Sequence, residues 1–480
     1  MQRILSIAAI AAISVGAGSA EEWGRFRGAN GTGVADAKNL PVEMNADKNL
    51  VWRTEIPAGY SSPVVGGDKI FLTTFDKAKK AVYTMGLDRK TGKILWQKEA
   101  PSVNAVAIRS VNTPVSPTPV TDGKGVYVFF ESAGLVGYTP DGEQKWHLPL
   151  GPFKTPYGPG ASPILAGDTL LFLMDQDVDS FLLAVDTSTG KVKWKTARRG
   201  VTHGFSTPVL FQPKKGPLQV LVSGSYELQS YSVATGEKLW WVGGMAWQAK
   251  SEPIVAGDHV YVHSWMADMS GVGLPPQIDP WEKVLESHDK DKDGKLSREE
   301  LPYDEMKKLM FLFDLNADKF IDADEWKVLF ARNSAVNGVY SIKLPQTDAE
   351  QKGDLTKTNV EWRYAKSLPN IPSPLLIGDV LFLLREGGVL TALNAKTGEV
   401  IKQGRVKDAL DPYYASPIAG DGKIYLASQS GKLSVIQAIG EWEILAVNDL
   451  KEEIWSTPAI DKNQIIVRTQ TALYCFGNKS

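Results

Sequence analysis

Two clusters of short acidic and amide side chains are the parts of this chain best suited to chemistry. In the first, Asp289, Asp291, Asp293, Gly294, Lys295, Ser297 and Glu300 fall at positions 1, 3, 5, 6, 7, 9 and 12 of a twelve-residue stretch. In the second, Asp314, Asn316, Asp318, Phe320, Asp322 and Glu325 repeat the alternation and the closing glutamate. Oxygens spaced in this way along a bent loop can converge on one point, which suits a hard cation. Covalent catalysis finds less support. The sequence holds no Gly-x-Ser-x-Gly elbow, no His-Glu-x-x-His helix and no Cys-x-x-Cys-His haem site. Asp175, Asp177 and Asp179 mimic half of an acidic loop but run straight into the apolar Phe181-Leu182-Leu183, so they are expected to form a solvated connection.

The first stretch resembles an EF-hand calcium loop, with every element of the pattern present. The resemblance implies ligation by Asp289, Asp291, Asp293, the Lys295 carbonyl, a water held by Ser297 and a bidentate Glu300, with Gly294 at the sharp bend. The second departs from the pattern at position 6, where Lys319 stands for glycine. A side chain at positive φ costs roughly 1 kcal/mol. A second Ca²⁺ is therefore expected to bind more weakly, through Asp314, Asn316, Asp318, the Phe320 carbonyl, Asp322 and Glu325. Leu296 and Ile321 share position 8, where paired EF-hands bridge their loops. Residues 281–287 and 326–331 are expected to form the flanking helices. Pro302 interrupts any helix leaving the first loop, so one helix over 303–313 is expected to lead into the second.

A repeated phrase must position these loops. A Ser-Pro or close variant, an apolar pair, a Gly/Asp turn and a β-branched run begin at Ser62-Pro63, Ser116-Pro117, Ser162-Pro163, Thr207-Pro208, Glu252-Pro253, Ser373-Pro374, Ser416-Pro417 and Thr457-Pro458. Most intervals are about 41–54 residues, the range of propeller blades. Each repeat reads as four short strands joined by hairpins, a sheet too small to stand alone. Gly92, Gly142, Gly190 and Gly236 each precede a tryptophan by four residues, which reads as an apolar plug between blades. Trp362 and Trp442 are expected to end the fifth and seventh blades. The eighth repeat is one strand short, and residues 50–53 supply an orphan strand with the missing tryptophan, so the N-terminal strand should close the ring. The interval between Pro253 and Pro374 is too long for one blade, which places an insertion in blade 5.

The Asp-x-x-Thr-Gly-Lys/Glu-x-x-Trp run at residues 88–96, its copies at 186–194 and 233–240, and the Ser-Pro/Gly-Asp openings resemble the PQQ-like (pyrroloquinoline-quinone-type) β-propeller family. The expected fold is all-β: an eight-bladed propeller of four-stranded antiparallel blades with a small α-helical EF-hand insertion in blade 5. The expected divisions are a signal peptide at 1–20, propeller at 21–275, the EF-hand pair at 276–334 and propeller again at 335–480. The family resemblance allows two functions. One is a binding or scaffold module, as in an outer-membrane assembly lipoprotein. The other is a quinoprotein dehydrogenase that oxidises an alcohol or sugar with PQQ in the central funnel. The dehydrogenases of this family place a vicinal disulfide over the quinone and use Glu and Asn calcium ligands with a catalytic Asp. This chain has one cysteine, Cys475, and no residue-by-residue match to that set. PQQ is therefore not favoured, and a non-catalytic module is. The funnel mouth is expected to gather Tyr60, Asn112, Tyr157, His203, Gln248, Lys250, Asn370, Asp411, Tyr414 and Trp455.

Charge and compartment fit that reading. Fifty-three basic and 55 acidic residues leave a formal net charge of −2, without a basic stripe for nucleic acid. The apolar stretch after Arg3, ending at Gly18-Ser19-Ala20, reads as a cleaved signal peptide, and no cysteine near it offers a lipid anchor. No later run approaches the roughly 20 apolar residues of a membrane span. The expected product is a periplasmic or secreted monomer whose partner is a protein or an extracellular polymer, and Cys475 is expected to be a buried apolar filler.

Overall fold

Each Gly/Asp turn reverses a strand, and the first blade shows the outcome. Val64–Gly66, Lys69–Asp76, Ala81–Asp88 and Ile94–Glu99 form a four-stranded antiparallel sheet, ordered from the axis outward. The computed structural model describes residues 23–109, 112–202, 204–266 and 278–478, and contains eight such sheets. The expected signal peptide lies outside the described residues. The middle strands are almost wholly buried, for example Val126–Phe130 and Thr169–Met174, because each blade packs both faces against its neighbours.

The glycine–tryptophan offset is a device between blades. The outer strand of blade 2 carries Trp146, whose ring lies on Gly190 of blade 3 and whose Nε1 donates to the Thr187 carbonyl at 2.9 Å. Trp96 meets Gly142 and donates to Pro140; Trp194 meets Gly236 and donates to Val233; Trp362 meets Gly398 and donates to Ala395. Positive φ at each of these glycines makes the turn, and the missing Cβ admits the indole. Blade 6 has Lys402 at the tryptophan position, and its Nζ donates to the Trp442 carbonyl at 2.6 Å. Trp442 does not end blade 7 as expected. It precedes the outer strand Ile444–Asp449, where Ala446 holds the paired position, and it packs under the Lys402 ammonium.

Closure follows the expected register. Leu50–Glu55 pairs with Ala472–Gly477, with Arg53 opposite Tyr474 and Trp52 opposite the buried Cys475. Blade 4 gains a fifth strand, Gly353–Asp354, parallel to Lys238–Val242, which covers that outer edge.

A segment without sequence periodicity completes the ring. Residues 23–45 cross the axis at the far end of the inner strands. The Trp23 carbonyl accepts from Val65 N and the Gly24 carbonyl from Thr121 N. Asn30 pairs with Leu210 through both side-chain atoms, and Val34 bridges to Ala419. Arg25 and Arg27 are drawn inward by Glu252, the one acidic member of the Ser/Thr-Pro positions. Arg25 forms an ion pair with it, and the fully buried Arg27 donates to the Pro374 carbonyl at 2.6 Å. This strap closes one end of the central channel.

Between the second and third strands of blade 5, His259–Ser264 and Gly338–Lys343, the described residues make three α-helices: α1 (Trp281–His288), α2 (Asp304–Lys308) and α3 (Ala323–Ser334). They enclose their own core of Val284, Leu296, Met306, Phe313, Ile321 and Trp326. The single helix expected over 303–313 is instead α2 followed by a 3₁₀ turn, Met310–Leu312. Asn337 bonds Met266 through both its amide atoms and fastens the neck.

Candidate metal loops and the central funnel

The two acidic loops fold alike. Gly294 N donates to Asp289 Oδ2 at 3.0 Å, and Lys319 N donates to Asp314 Oδ2 at 2.9 Å. Lys295 N donates to Asp293 and Phe320 N to Asp318 in the same way. Glu300 accepts from Lys290 N and Ser297 N at 2.9 Å each, as Glu325 does from Leu315 N at 2.7 Å and Asp322 N at 2.9 Å. Lys319 takes φ of 73° where Gly294 has 81°, so the expected strain at position 6 is present. Leu296 pairs with Ile321 across a two-stranded bridge, and both are fully buried. Oxygens of Asp289, Asp291 and Asp293 lie within 4.8 Å of one another.

The closing glutamates differ in electrostatics. The Ser297 hydroxyl and backbone N–H groups pull Glu300 down to about 2. Burial pushes Glu325 up to about 7 against its backbone bonds, with Asp322 and Asp314 adding repulsion. Lys295 crosses from the first loop to the second, with its Nζ 2.7 Å from Asp318 Oδ2.

The helices stand at the funnel end of the ring. The innermost strand of blade 5 starts at the funnel, so the second strand returns to that side and delivers the insertion there. Arg199 and Asp324 approach to 3.9 Å, and Val336 N donates to the Gly244 carbonyl.

The funnel itself is a cavity of about 540 Å³. Phe26 of the strap reaches into it from below. Tyr60, Asn112, Tyr157, Gln248, Lys250, Tyr414 and Trp455 line it as expected. Trp455 is sandwiched between Tyr60 and Tyr414, with ring centroids 4.7 and 4.5 Å away. Asn370 stands behind Lys250 and accepts from its Nζ at 2.6 Å, whereas Asp411 turns aside to bond Ser428 and Ser430. His203 lies outside the described residues. Asp175 belongs to no solvated loop; it is fully buried in an ion pair with Arg198 at 2.7 Å, a contact between two strand ends of blade 3 that local sequence does not announce.

The Ser/Thr-Pro repeat acquires its meaning at the funnel floor. Ser62 N donates to Thr118 Oγ1, Thr118 N to Ser162 Oγ and Ser162 N to Thr207 Oγ1, at 2.9–3.0 Å. Glu252 N donates to Ser373, Ser373 N to Ser416 and Ser416 N to Thr457 over similar distances. Six blade junctions are tied in this way, by one hydroxyl each. In blade 2 the operative hydroxyl is Thr118, two residues after the Ser116 of the repeat phrase.

A family model described as outer membrane protein assembly factor BamB, PQQ_2, matches residues 28–157, 141–272 and 349–480. The chain belongs to that family. The match omits 273–348, the stretch that carries both acidic loops. No curated protein matches the chain. Among solved structures, BamB from Moraxella catarrhalis is 12% identical, with a TM-score of 0.54 over 89% of this chain and 99% of its own. A europium-containing methanol dehydrogenase is 10% identical, with a TM-score of 0.59 over 95% and 98%. The quinohemoprotein alcohol dehydrogenase ADHIIG from Pseudomonas putida HK5 is 11% identical, with a TM-score of 0.57 over 95% and 80%. These likenesses establish the propeller fold and leave activity to the PQQ_2 chain's own residues. Among the described residues no helix is long and apolar enough to cross a membrane.

Proposed function

We propose that this PQQ_2-family propeller is an exported, calcium-binding module of the periplasm or cell exterior. Its funnel face, with the helical insertion, engages a protein or an extracellular polymer. The observation that carries the reading is the matched pair of acidic loops, joined through Leu296 and Ile321 and mounted beside the funnel. Asp289, Asp291, Asp293, the Lys295 carbonyl, Ser297 through water and Glu300 would hold the first Ca²⁺. Asp314, Asn316, Asp318, the Phe320 carbonyl, Asp322 and Glu325 would hold a second, weaker one. Loading at roughly 10⁻⁴–10⁻³ M, usual for extracellular modules, suits a permanent structural role. The insertion has its own core, so chelation loosens it while the blades stay folded.

The dehydrogenase reading finds less support. PQQ is a planar tricarboxylate, and its relatives' chemistry requires carboxylates beside it for calcium and for proton abstraction. Among the described lining residues the funnel presents one cation, Lys250, and no carboxylate. That set does not fit the cofactor, and no step through a quinone follows from it.

Calorimetry with Ca²⁺ on the wild type, Glu300→Gln and Glu325→Gln tests the proposal. Two sites are expected, with the tighter lost in Glu300→Gln and the weaker in Glu325→Gln. Retention of the tighter site in Glu300→Gln, or melting of the whole ring on chelation, would overturn it. A quinone absorbance band that tracks dye-coupled alcohol oxidation after reconstitution with PQQ and Ca²⁺ would favour the enzyme instead.

A further inference from the structure

The funnel has a chemical bias of its own, independent of the acidic loops. Lys250 is largely buried at its wall, yet no carboxylate among the described residues forms an ion pair with it. Its ammonium meets the Asn370 amide oxygen at 2.6 Å and the Trp265 ring at 4.9 Å, and Glu386 acts on it only from farther away. Burying a charge without a counter-ion is unfavourable, and burial accordingly lowers this amine to about 8. His263 nearby adds no second positive charge, because burial and the neighbouring Lys250 hold its imidazole neutral, at about 3.

The floor points the same way. The six hydroxyls that tie the blades, from Thr118 to Thr457, each accept one backbone N–H. Among the described residues none of them donates its own hydrogen to another protein group, and all six face the cavity. The axis is thus ringed by O–H donors with a cation to one side. A metal ion or an amine finds no anionic ligand here. Above the floor stands the stacked wall of Tyr60, Trp455 and Tyr414, with Tyr157 against Phe205 elsewhere on the rim. A cavity of about 540 Å³ with mostly apolar lining and a few convergent polar groups is the usual form of a small-molecule site.

We infer that the funnel binds a small ring-bearing monocarboxylate, its carboxylate on Lys250 and the hydroxyl ring, its ring against the aromatic wall. One cation matches one carboxylate, so a polycarboxylate leaves charges unpaired. The strap closes the lower end, so the ligand enters and leaves by the face that carries the helices.

Benzoate and its neutral isostere benzamide are the probes, titrated into the full-length protein by ligand-observed NMR at pH 7. Benzoate is expected to bind at least tenfold more tightly than benzamide. Lys250→Met should abolish that preference and Lys250→Arg retain it, with melting temperatures confirming the fold. In the wild type the benzoate affinity should fall close to tenfold per unit above pH 8 while that of benzamide stays level, a test that needs no variant. Chelation of Ca²⁺ should leave the preference intact, which separates this inference from the calcium reading. The inference is overturned if benzoate does not bind, binds no better than benzamide, keeps its advantage in Lys250→Met, or loses it on chelation. Tighter binding of benzene-1,3,5-tricarboxylate than of benzoate would also overturn it.

Discussion

Substituting both halves of one inter-blade lock tests the packing account of the ring. Trp146 is 7% exposed, covers the Gly190 turn and donates to Thr187. Its truncation to alanine should cost about 3–5 kcal/mol. Gly190→Ala combines two penalties. Its φ of 71° costs an L-residue about 1–2 kcal/mol, and a Cβ there lies 2.7 Å from the indole carbons. Forcing the ring aside adds about 1–3 kcal/mol. The second penalty disappears once the indole is gone, so the double variant should cost less than the sum of the singles by about that amount. Gly167→Ala is the internal control. It has φ of 60° in the same blade with nothing within 4 Å of its Cβ, so only the backbone penalty applies. Urea unfolding followed by far-UV circular dichroism gives all four values. Additivity within about 0.5 kcal/mol, or equal costs at Gly190 and Gly167, would refute the reasoning.

Three further outcomes follow from individual side chains. Glu252→Gln takes the ion-pair partner from Arg25 and the neighbouring negative charge from the fully buried Arg27, and should cost about 3–5 kcal/mol; limited proteolysis should then cut within residues 23–45, and an unchanged digestion pattern would count against the strap. Burial pushes the Cys475 thiol up to about 12, so it should resist iodoacetamide in the native ring and react only when the closing strand pair opens. Rapid labelling without loss of structure would contradict the closure. In the metal-free protein Glu325 is protonated below about 7, whereas Glu300 stays ionised down to about 2. A carboxylate must be ionised to hold Ca²⁺. Affinity of the second loop should therefore fall close to tenfold per unit below pH 7 while the first holds steady to pH 5, as calorimetry at several pH values would show.

The blades were legible because their determinants are local. A glycine at positive φ and a tryptophan four residues later lie in one hairpin, and the alternation of strands is written in the same few residues. Trp442 misled because it sits two residues before its strand, in a turn that differs from the others. The strap was not legible because Trp23 to Asn45 has neither strand nor helix periodicity, and beyond a few local turns its bonds go to residues distant in sequence. One signal could have found it: Glu252 breaks the Ser/Thr rule at a buried position, and a buried carboxylate demands cations from elsewhere in the chain. At the funnel, the residues before each inner strand were placed correctly where the backbone runs straight to the axis. Asp411 departs because Ser428 and Ser430 offer nearer donors. In the acidic loops the spacing determined which backbone amides each carboxylate meets, but the splitting of 303–313 into two short helices depends on how Met306, Met310 and Phe313 fill the small core.

The strap has a consequence for how the protein is made. Its partners lie in blades 1, 2, 4, 5, 6 and 7, and Leu50–Glu55 finds its mate only in Ala472–Gly477. The bond between Arg53 and Tyr474 spans 421 residues of sequence. A chain emerging N-terminus first can dock the start of the strap on blades 1 and 2 early, but carries Leu50–Glu55 unpaired until nearly all the rest has appeared. Loop-closure entropy on that scale must be met before the long-range contacts compensate it. Throughout that interval Leu50–Glu55 is a bare strand, and Ala472–Gly477 presents a bare edge until the two meet; such edges are the surfaces most prone to pair with the wrong chain. Biogenesis is thus set by a single late event, the arrival of the final strand, and any truncation there should yield aggregation in place of a smaller stable ring.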